Sequence, residues 1–425
     1  MKELHVSIER NGSMIPVGTI TGEDQSDARF RYFEAYREGT GAPISISLPL
    51  QEDAFTAEQT ASFFEGLLPE GFTRRTVAQW MHVDEGDYLS ILHGLGRECL
   101  GAVCITQGGE AQDAFYERIS ERQIQELAAE GATRSAELVT KSHLSLTGAS
   151  GKVGLYYDAS TGAWYLPRGT APSTHIIKQS HVRLEAIVTN ERLSLMTAAR
   201  CGLDTPESFI INTGHAEEHE VLFATRRYDR LFEPDCPVIH GLPRPYRLHQ
   251  EDFAQAMGVP AAAKYERETG KYLKGMFDVL RKYSADPVSD QLKLWDIIVF
   301  DFLIGNTDAH IKNFSVLYGK DLKQIRLAPA YDIVSTVIYE QSTRDMAFRI
   351  GEVFSIDEMS RDSFRRAAGE IGIGERMAMR RFDAMADRFQ TALHESAEEL
   401  AEEGYLKAKE IENRILQKAG MARLL

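Results

Sequence analysis

The stretch IGNTDAHIKNFS, residues 304–315, lies at the end of the most apolar helical pattern in the chain. Gly305 is expected to end that helix, because glycine readily adopts the left-handed conformation that closes a helix. Four side chains that carry charge or hydrogen-bonding groups then fall within six residues: Asp308, His310, Lys312 and Asn313. A polar loop after a buried helix predicts either a functional site or a helix cap rich in Asp and Asn.

The spacing of Asp308 and Asn313 favours phosphoryl-transfer chemistry. That reaction needs a carboxylate that orients the attacking hydroxyl, and oxygen ligands that hold magnesium against the phosphates. Asp308 and Asn313 are five residues apart, as are the base and the metal ligand in the D-x-x-x-x-N loop of protein kinases. One short match is not specific, so the helix-cap interpretation stays open at this point.

A second carboxylate, Asp332, follows in LAPAYDIVS, 24 residues after Asp308. The intervening segments NFSVLYG and QIRLAP have strand patterns, and a strand pair could return Asp332 to the side of Asn313 as a second magnesium ligand. The alternative is an Asp that caps a turn after Pro329.

Lys178 is the candidate cation for the nucleotide phosphates. It ends the apolar strand pattern THIIK, and Glu191 follows thirteen residues later on a long helical pattern. A strand lysine paired with a helix glutamate is the arrangement found in kinases. Both residues could instead be ordinary surface charges.

The segment SLTGASGK, residues 145–152, is a glycine-containing loop between strand patterns. It is not a Walker loop, because Leu146 stands where that motif needs glycine and Val153 stands where it needs a hydroxyl. Gly148 and Gly151 could still present backbone N–H groups to phosphate, with Lys152 as a point charge. A plain β-hairpin turn is the competing interpretation.

Composition limits the class of protein. The 425 residues are 43% hydrophobic and 26% charged, which is typical of a globular protein of two or three domains. A formal charge of −15 and a pI of about 5.4 disfavour independent binding to nucleic acid or anionic membranes.

Cysteine usage and the N-terminus indicate the compartment. The four cysteines lack the spacing of a disulfide framework or a zinc site, which predicts reduced thiols. The N-terminus has a strand pattern instead of a signal sequence, and no apolar run reaches the length of a membrane span. We therefore expect a cytoplasmic protein with no membrane association.

The order of the patterns predicts an α+β fold with three units. Residues 1–107 form an N-terminal α+β module, residues 108–247 a mixed, β-rich nucleotide-binding lobe, and residues 248–425 an all-helical catalytic lobe. A β-rich lobe followed by a helical lobe is the general shape of a two-lobed, protein-kinase-like transferase.

Together these segments resemble the HipA family of serine/threonine kinases, the toxins of bacterial toxin–antitoxin pairs. The resemblance covers nearly the whole chain and rests on SISLPLQ, FFEGLLPEG, GRECLGAV, SLTGASGK, THIIK, NERLSL, RYDR, RLHQEDFAQAMG, KYE, GNTDAHIKNFS and PAYDIVS. It implies a HipA-like fold and ATP and Mg²⁺ as cofactors.

The resemblance also assigns roles to residues. Asp308 would be the catalytic base, and Asn313 and Asp332 would hold magnesium. The nucleotide would be contacted by the loop Thr147, Gly148, Ala149, Ser150, Gly151 and Lys152, by Lys178, by the hinge Arg226, Arg227 and Tyr228 with Asp229 nearby, and by His310, Lys312, Asn313, Tyr331 and Asp332.

Ser145 stands at the position of the family's regulatory serine. A phosphate three residues before Gly148 would compete for the amides and lysines that ATP needs, so autophosphorylation of Ser145 would act as a switch. Two residues depart from the family pattern, which usually has Gln at Ser150 and Glu at Arg226. Both departures affect the expected nucleotide affinity and loop behaviour more than phosphoryl transfer itself.

Three functions remain as hypotheses. The first is a growth-inhibiting protein kinase that phosphorylates a translation factor, such as an aminoacyl-tRNA synthetase. This kinase would bind a HipB-like helix-turn-helix antitoxin and would contact DNA only through that antitoxin. The second is a catalytically weak, kinase-shaped subunit that chiefly binds the antitoxin and co-represses its operon. The third, a small-molecule phosphotransferase, uses the same residues but does not explain the large N-terminal module.

Overall fold

The computed structural model describes residues 2–108, 114–130, 151–180, 184–214, 220–267 and 270–424. The strands within these ranges are β1 (Lys2–Arg10), β2 (Ser13–Gly22), β3 (Arg29–Tyr32), β4 (Val103–Thr106), β5 (Phe115–Ile119), β6 (Lys152–Asp158), β7 (Ala163–Arg168), β8 (His175–Gln179), β9 (Ser208–Asn212), β10 (Val221–Arg226), β11 (Arg230–Leu231), β12 (Val238–Ile239), β13 (Leu242–Pro243), β14 (Tyr246–Arg247), β15 (Gln250–Asp252), β16 (Ser315–Tyr318), β17 (Ile325–Leu327), β18 (Asp345–Ile350) and β19 (Val353–Ser355).

The α-helices within the same ranges are α1 (Glu34–Thr40), α2 (Ala57–Phe64), α3 (Gly71–Met81), α4 (Tyr88–Leu95), α5 (Glu121–Glu130), α6 (Ile187–Arg200), α7 (Phe253–Met257), α8 (Tyr272–Tyr283), α9 (Pro287–Ile304), α10 (Arg361–Ile371), α11 (Glu375–Glu402) and α12 (Lys407–Lys418). Among the described residues, none of these helices has the length and apolar character that would let it cross a bilayer.

The first sheet is antiparallel and has the order β3-β2-β1-β4. Its central hairpin turns at Asn11 and Gly12, which have φ angles of 49° and 79°. Two consecutive positive φ angles are what a tight two-residue hairpin turn requires, and Asn-Gly accepts them at little cost. The predicted Asn-Gly turn is therefore confirmed.

The second sheet has six strands in the order β5-β7-β6-β8-β10-β9. Helix α6 packs against β9 and β10 on one side and against α11 and α12 on the other. The sequence interpretation missed β5 and treated Gly108 to Glu117 as a polar stretch. This edge strand buries only Tyr116 and Ile119, so its pattern is mostly that of an exposed segment.

The third unit is mostly helical, but the prediction of an all-helical lobe is wrong in detail. Strands β15, β16 and β17 form a small antiparallel sheet, and β18 pairs with β19. The pair β16–β17 is the one predicted from NFSVLYG and QIRLAP, which places Ser315 to Leu327 directly after the polar loop.

Helix α9 positions that polar loop. Asp286 caps its first turn, Pro287 follows as the first helical residue, and Gly305 ends it with a φ of 76°. A Cβ atom at Gly305 would lie 2.3 Å from Cγ2 of Val337 and 2.9 Å from Cβ of Ala419. Glycine is therefore needed here for both its backbone conformation and the close approach of the neighbouring chain.

Candidate functional site

A cavity of about 360 Å³ lies between the β-rich and helical lobes. Its lining includes the apolar residues Leu100, Ile176, Leu184, Ile187, Val188, Leu195, Phe223 and Val334. The lining also includes the charged residues Glu70, Lys152, Lys178, Glu191, Lys264, Asp308, Lys312 and Asp332. A cavity lined by both apolar and charged side chains suits a ligand that carries a flat ring and phosphates.

Two cross-strand lysines enter the cavity from the β-rich lobe. Antiparallel pairing places Lys152 of β6 directly opposite Lys178 of β8, which brings the two side chains together on one face. Lys178 contacts Glu191 and Asp332, and Nζ of Lys152 lies 3.0 Å from Oδ2 of Asp332. The predicted ion pair of Lys178 and Glu191 is present.

The electrostatics keep Asp332 ionised. Burial alone would raise the pKa of Asp332, but the charges of Lys152 and Lys178 outweigh it and hold the pKa well below the ordinary aspartate value. Burial would likewise lower the pKa of Lys178, yet Asp332 and Glu191 raise it above the ordinary lysine value. The site therefore holds a carboxylate and an ammonium that remain charged at neutral pH.

Asp332 also has an unusual backbone. Its φ is 57°, in the left-handed region that few residues other than glycine adopt. The neighbouring Tyr331 fixes the chain, because its hydroxyl lies 2.6 Å from Oγ of Ser315 and donates to the carbonyl of Lys312 at 3.0 Å. Strain of this kind persists where the surroundings hold a functional side chain in place.

The polar loop presents Asp308 to the cavity. Nδ2 of Asn313 donates to the Asp308 carbonyl at 2.9 Å, and the His310 N–H donates to the same oxygen at 2.8 Å. The Asn313 amide nitrogen is thus occupied, which leaves its Oδ1 as the atom suited to a cation. Partial burial by the cleft walls raises the pKa of Asp308, although its side chain is open to the cleft.

A hydrogen bond that sequence reasoning missed reaches Asp308 from Tyr265. The Tyr265 hydroxyl donates to Oδ1 of Asp308 at 2.5 Å. Tyr265 belongs to the segment KYE, which contributed to the family resemblance but carried no assigned role.

Lys312 and His310 line the cavity but are held differently from Lys178. The Lys312 ammonium is buried and donates to Oδ2 of Asp252 at 2.7 Å and to the carbonyl of Gly66 at 3.1 Å. It therefore ties the loop to the start of α7 and to the N-terminal module. His310 is 7% exposed, and burial lowers its pKa well below the ordinary value, so the ring is neutral.

The hinge segment begins at the last residue of β10 and lines the cavity. Arg226 is exposed and pairs with Glu207 at 3.0 Å, and Tyr228 contacts Gln250. The Arg227 side chain is fully buried beneath the hinge, where it pairs with Asp229 at 2.7 Å. Arg227 could therefore contact a nucleotide in the cavity through its backbone but not through its side chain.

Part of the predicted site lies outside the described residues. That part includes Ser145, Thr147, Gly148, Ala149 and Ser150. The next described range begins at Gly151, and Lys152 is the first residue of β6. The assigned roles of these five residues stay predictions.

The donor set fits a magnesium ion that arrives with a nucleotide. The described ranges contain no group of three or more His, Cys, Asp and Glu side chains that could hold a metal by themselves. Asp332 and Asn313 could supply two oxygen ligands, and magnesium is commonly held by one or two protein ligands together with phosphate oxygens and water.

Comparisons with known proteins agree with this architecture. Family models described as the HipA N-terminal domain and the HipA-like C-terminal domain match residues 11–106 and 144–393. The putative kinase Y4mE of Sinorhizobium fredii is 33% identical over 418 residues and covers 96% of both chains. The serine/threonine-protein kinase toxin HipA of Shewanella oneidensis is 26% identical over 388 residues, which cover 87% of this chain and 84% of that one.

A solved structure extends the agreement to three dimensions. A chain of the solved complex of Shewanella oneidensis HipA, HipB and operator DNA superimposes with a TM-score of 0.79 over 98% of this chain and 97% of that chain. Its sequence identity of 21% makes this a likeness of fold. Because the two family models together match most of its length, the chain belongs to the HipA family of serine/threonine kinase toxins.

Proposed function

We propose that the protein is an ATP- and magnesium-dependent protein serine/threonine kinase. The observation that carries this proposal is the meeting of Lys178, Glu191 and Asp332 with Asp308 and Asn313 around one cavity. These residues come from both lobes and from distant parts of the sequence. They supply the cation, metal ligands and base that phosphoryl transfer requires.

Each residue would have a distinct task. Lys178 would bind the phosphates, and its pair with Glu191 would hold the ammonium in place. Asp332 and Asn313 would hold magnesium, which neutralises the charge of the phosphates when it is bound. Asp308 would orient the acceptor hydroxyl and accept its proton as the new oxygen–phosphorus bond forms and ADP leaves.

We further propose a growth-inhibiting role with a protein substrate, such as a translation factor of the aminoacyl-tRNA synthetase class. The named relative is a kinase toxin, and the similar solved structure contains HipB and operator DNA. These relatives support a HipB-like antitoxin as the partner. Because this chain carries a charge of −15, that partner would supply most of the contacts to DNA phosphates.

Phosphate transfer from labelled ATP tests the proposal. With magnesium present, the wild type should label itself at Ser145, and Asp308→Gln should not. Asp387→Gln serves as a matched control, since Asp387 is an exposed residue of α11 away from the cavity. Equal labelling of the wild type and Asp308→Gln would refute the role of Asp308. If the wild type does not turn over ATP, the result would favour a kinase-shaped subunit that chiefly binds the antitoxin over an active kinase.

A further inference from the structure

The segment Lys264–Glu266 is anchored at both ends. Nζ of Lys264 lies 2.6 Å from Oε2 of Glu70, a residue of the N-terminal module. Two residues on, the buried carboxylate of Glu266 accepts the backbone N–H of Arg349 in β18 at 2.7 Å. The backbone of Tyr265, between these two anchors, is therefore fixed by two different parts of the fold.

Tyr265 extends from this fixed backbone to the polar loop. Its hydroxyl donates to Oδ1 of Asp308 at 2.5 Å, and its ring meets the His310 ring edge to face with centroids 5.2 Å apart. The residue is nevertheless 44% exposed. Burial and the neighbouring Asp308 raise the pKa of Tyr265, so the phenol remains a hydrogen-bond donor at neutral pH.

The contacts of Asp308 leave one oxygen for another partner. Its main-chain carbonyl is held by the His310 N–H and the Asn313 amide, and its Oδ1 is held by Tyr265. Among the described residues, none donates a hydrogen bond to Oδ2. A carboxylate that is fixed through one oxygen presents the other in a defined direction, which reduces the entropy lost when an acceptor hydroxyl binds.

We propose that Tyr265 is the acceptor-side positioning residue of this kinase. By holding Oδ1 it turns Oδ2 of Asp308 towards the serine or threonine hydroxyl of the protein substrate, and its exposed ring forms a wall of the acceptor subsite. This inference rests on the proposed kinase function and adds a residue on the acceptor side.

Steady-state kinetics of three variants test the role of Tyr265. The phosphate acceptor is a degenerate peptide mixture with one fixed serine, and ATP and peptide are varied separately. Tyr265→Phe removes only the hydroxyl, and Tyr265→Ala removes the ring as well. Tyr283→Phe is the matched control, because Tyr283 is a 37% exposed tyrosine at the end of α8 and does not line the cavity.

Tyr265→Phe should lower kcat for peptide phosphorylation by about tenfold or more, a part of the roughly 10²- to 10⁴-fold that a positioned general base contributes. The KM for ATP should stay within about twofold of the wild-type value, because the nucleotide side is untouched. Tyr265→Ala should in addition raise the KM for the peptide. Tyr283→Phe should match the wild type, and the thermal unfolding midpoints of all variants are measured in parallel.

An unchanged kcat in Tyr265→Phe would overturn the inference and leave the kinase proposal intact. A raised kcat would also overturn it, since the phenol would then compete with the acceptor. A rise in the KM for ATP together with a lowered unfolding midpoint would show a purely structural role. A wild type that does not turn over ATP would overturn both proposals.

Discussion

Replacing Glu98 with glutamine removes the negative charge at the centre of a buried cluster beneath the hinge. Oε1 of Glu98 accepts four hydrogen bonds, from Arg227, Arg230 and the N–H and hydroxyl of Ser173, at 2.9 to 3.1 Å. Oε2 accepts two from Arg247, at 2.7 and 3.0 Å. The side chain of Glu98 is 1% exposed, as is that of Arg230.

The magnitude follows from this burial. Burial would raise the pKa of Glu98, but the three arginines outweigh it and hold the pKa far below the ordinary value. Glutamine keeps the volume but leaves the guanidinium groups short of one negative charge. Removing one partner of a buried ion pair costs about 3–5 kcal/mol, a large part of the roughly 5–15 kcal/mol that stabilises a typical protein.

Urea unfolding monitored by tryptophan fluorescence measures the effect. Glu117→Gln is the matched control, because Glu117 forms a surface ion pair with Arg168 at 2.6 Å and is 48% exposed. Such a pair contributes about 0–1 kcal/mol. Glu98→Gln should therefore lower the free energy of unfolding by several times more than Glu117→Gln.

The pH dependence has a definite sign. A carboxylate whose pKa is lowered on folding stabilises the fold above its unfolded pKa, which is 4.5 for glutamate, and this contribution is lost as the pH falls below that value. The deficit of Glu98→Gln should thus be full at pH 7 and shrink as the pH falls below 4.5. Equal free energies of unfolding for Glu98→Gln and Glu117→Gln at pH 7 would refute this account of the cluster.

Three further predictions concern the cavity and its supports. Lys178→Met should weaken ATP binding about tenfold to a hundredfold, measured by calorimetry, because it removes a charge-assisted contact. Lys282→Met is the control and should leave ATP binding unchanged, since Lys282 is exposed whereas Lys178 is buried. Equal ATP affinities of Lys178→Met and the wild type would contradict the role of Lys178. Burial raises the pKa of Glu251 from 4.5 to about 7, so this group should lower the wild-type free energy of unfolding by about 3 kcal/mol between pH 4.5 and 7. Glu251→Gln should reduce this pH dependence in urea unfolding, and an unchanged pH dependence would contradict the prediction. Gly305→Ala should destabilise by about 2–4 kcal/mol through its contact with Val337 and the positive φ, and an unchanged unfolding midpoint would refute this.

The cavity residues that lie on a strand or a helix, or shortly after one, were predictable from the sequence. Lys178 is the penultimate residue of an apolar strand and Glu191 lies on the next helix, so their pairing follows from a local pattern. Asp332 was placed by the strand pair β16–β17, which fixes how the chain returns to the polar loop. Local periodicity and a short connection were sufficient in these cases.

Contacts between distant segments were not predictable in the same way. The ammonium of Lys312 pairs with Asp252, 60 residues earlier in the chain, and the guanidinium of Arg227 reaches Glu98 in the N-terminal module. Neither partner has a fixed sequence spacing that would reveal it. The contact of Tyr265 with Asp308 spans 43 residues and comes from a segment with no helical or strand pattern.

A crystal structure with magnesium and a non-hydrolysable ATP analogue tests the central claim most directly. We expect the triphosphate at Lys178 and the metal at oxygens of Asp332 and Asn313, with the adenine against apolar residues of the cavity lining. An analogue bound outside this cavity, or one bound within it while Asp332 keeps both lysine contacts and no metal, would contradict the phosphotransfer account.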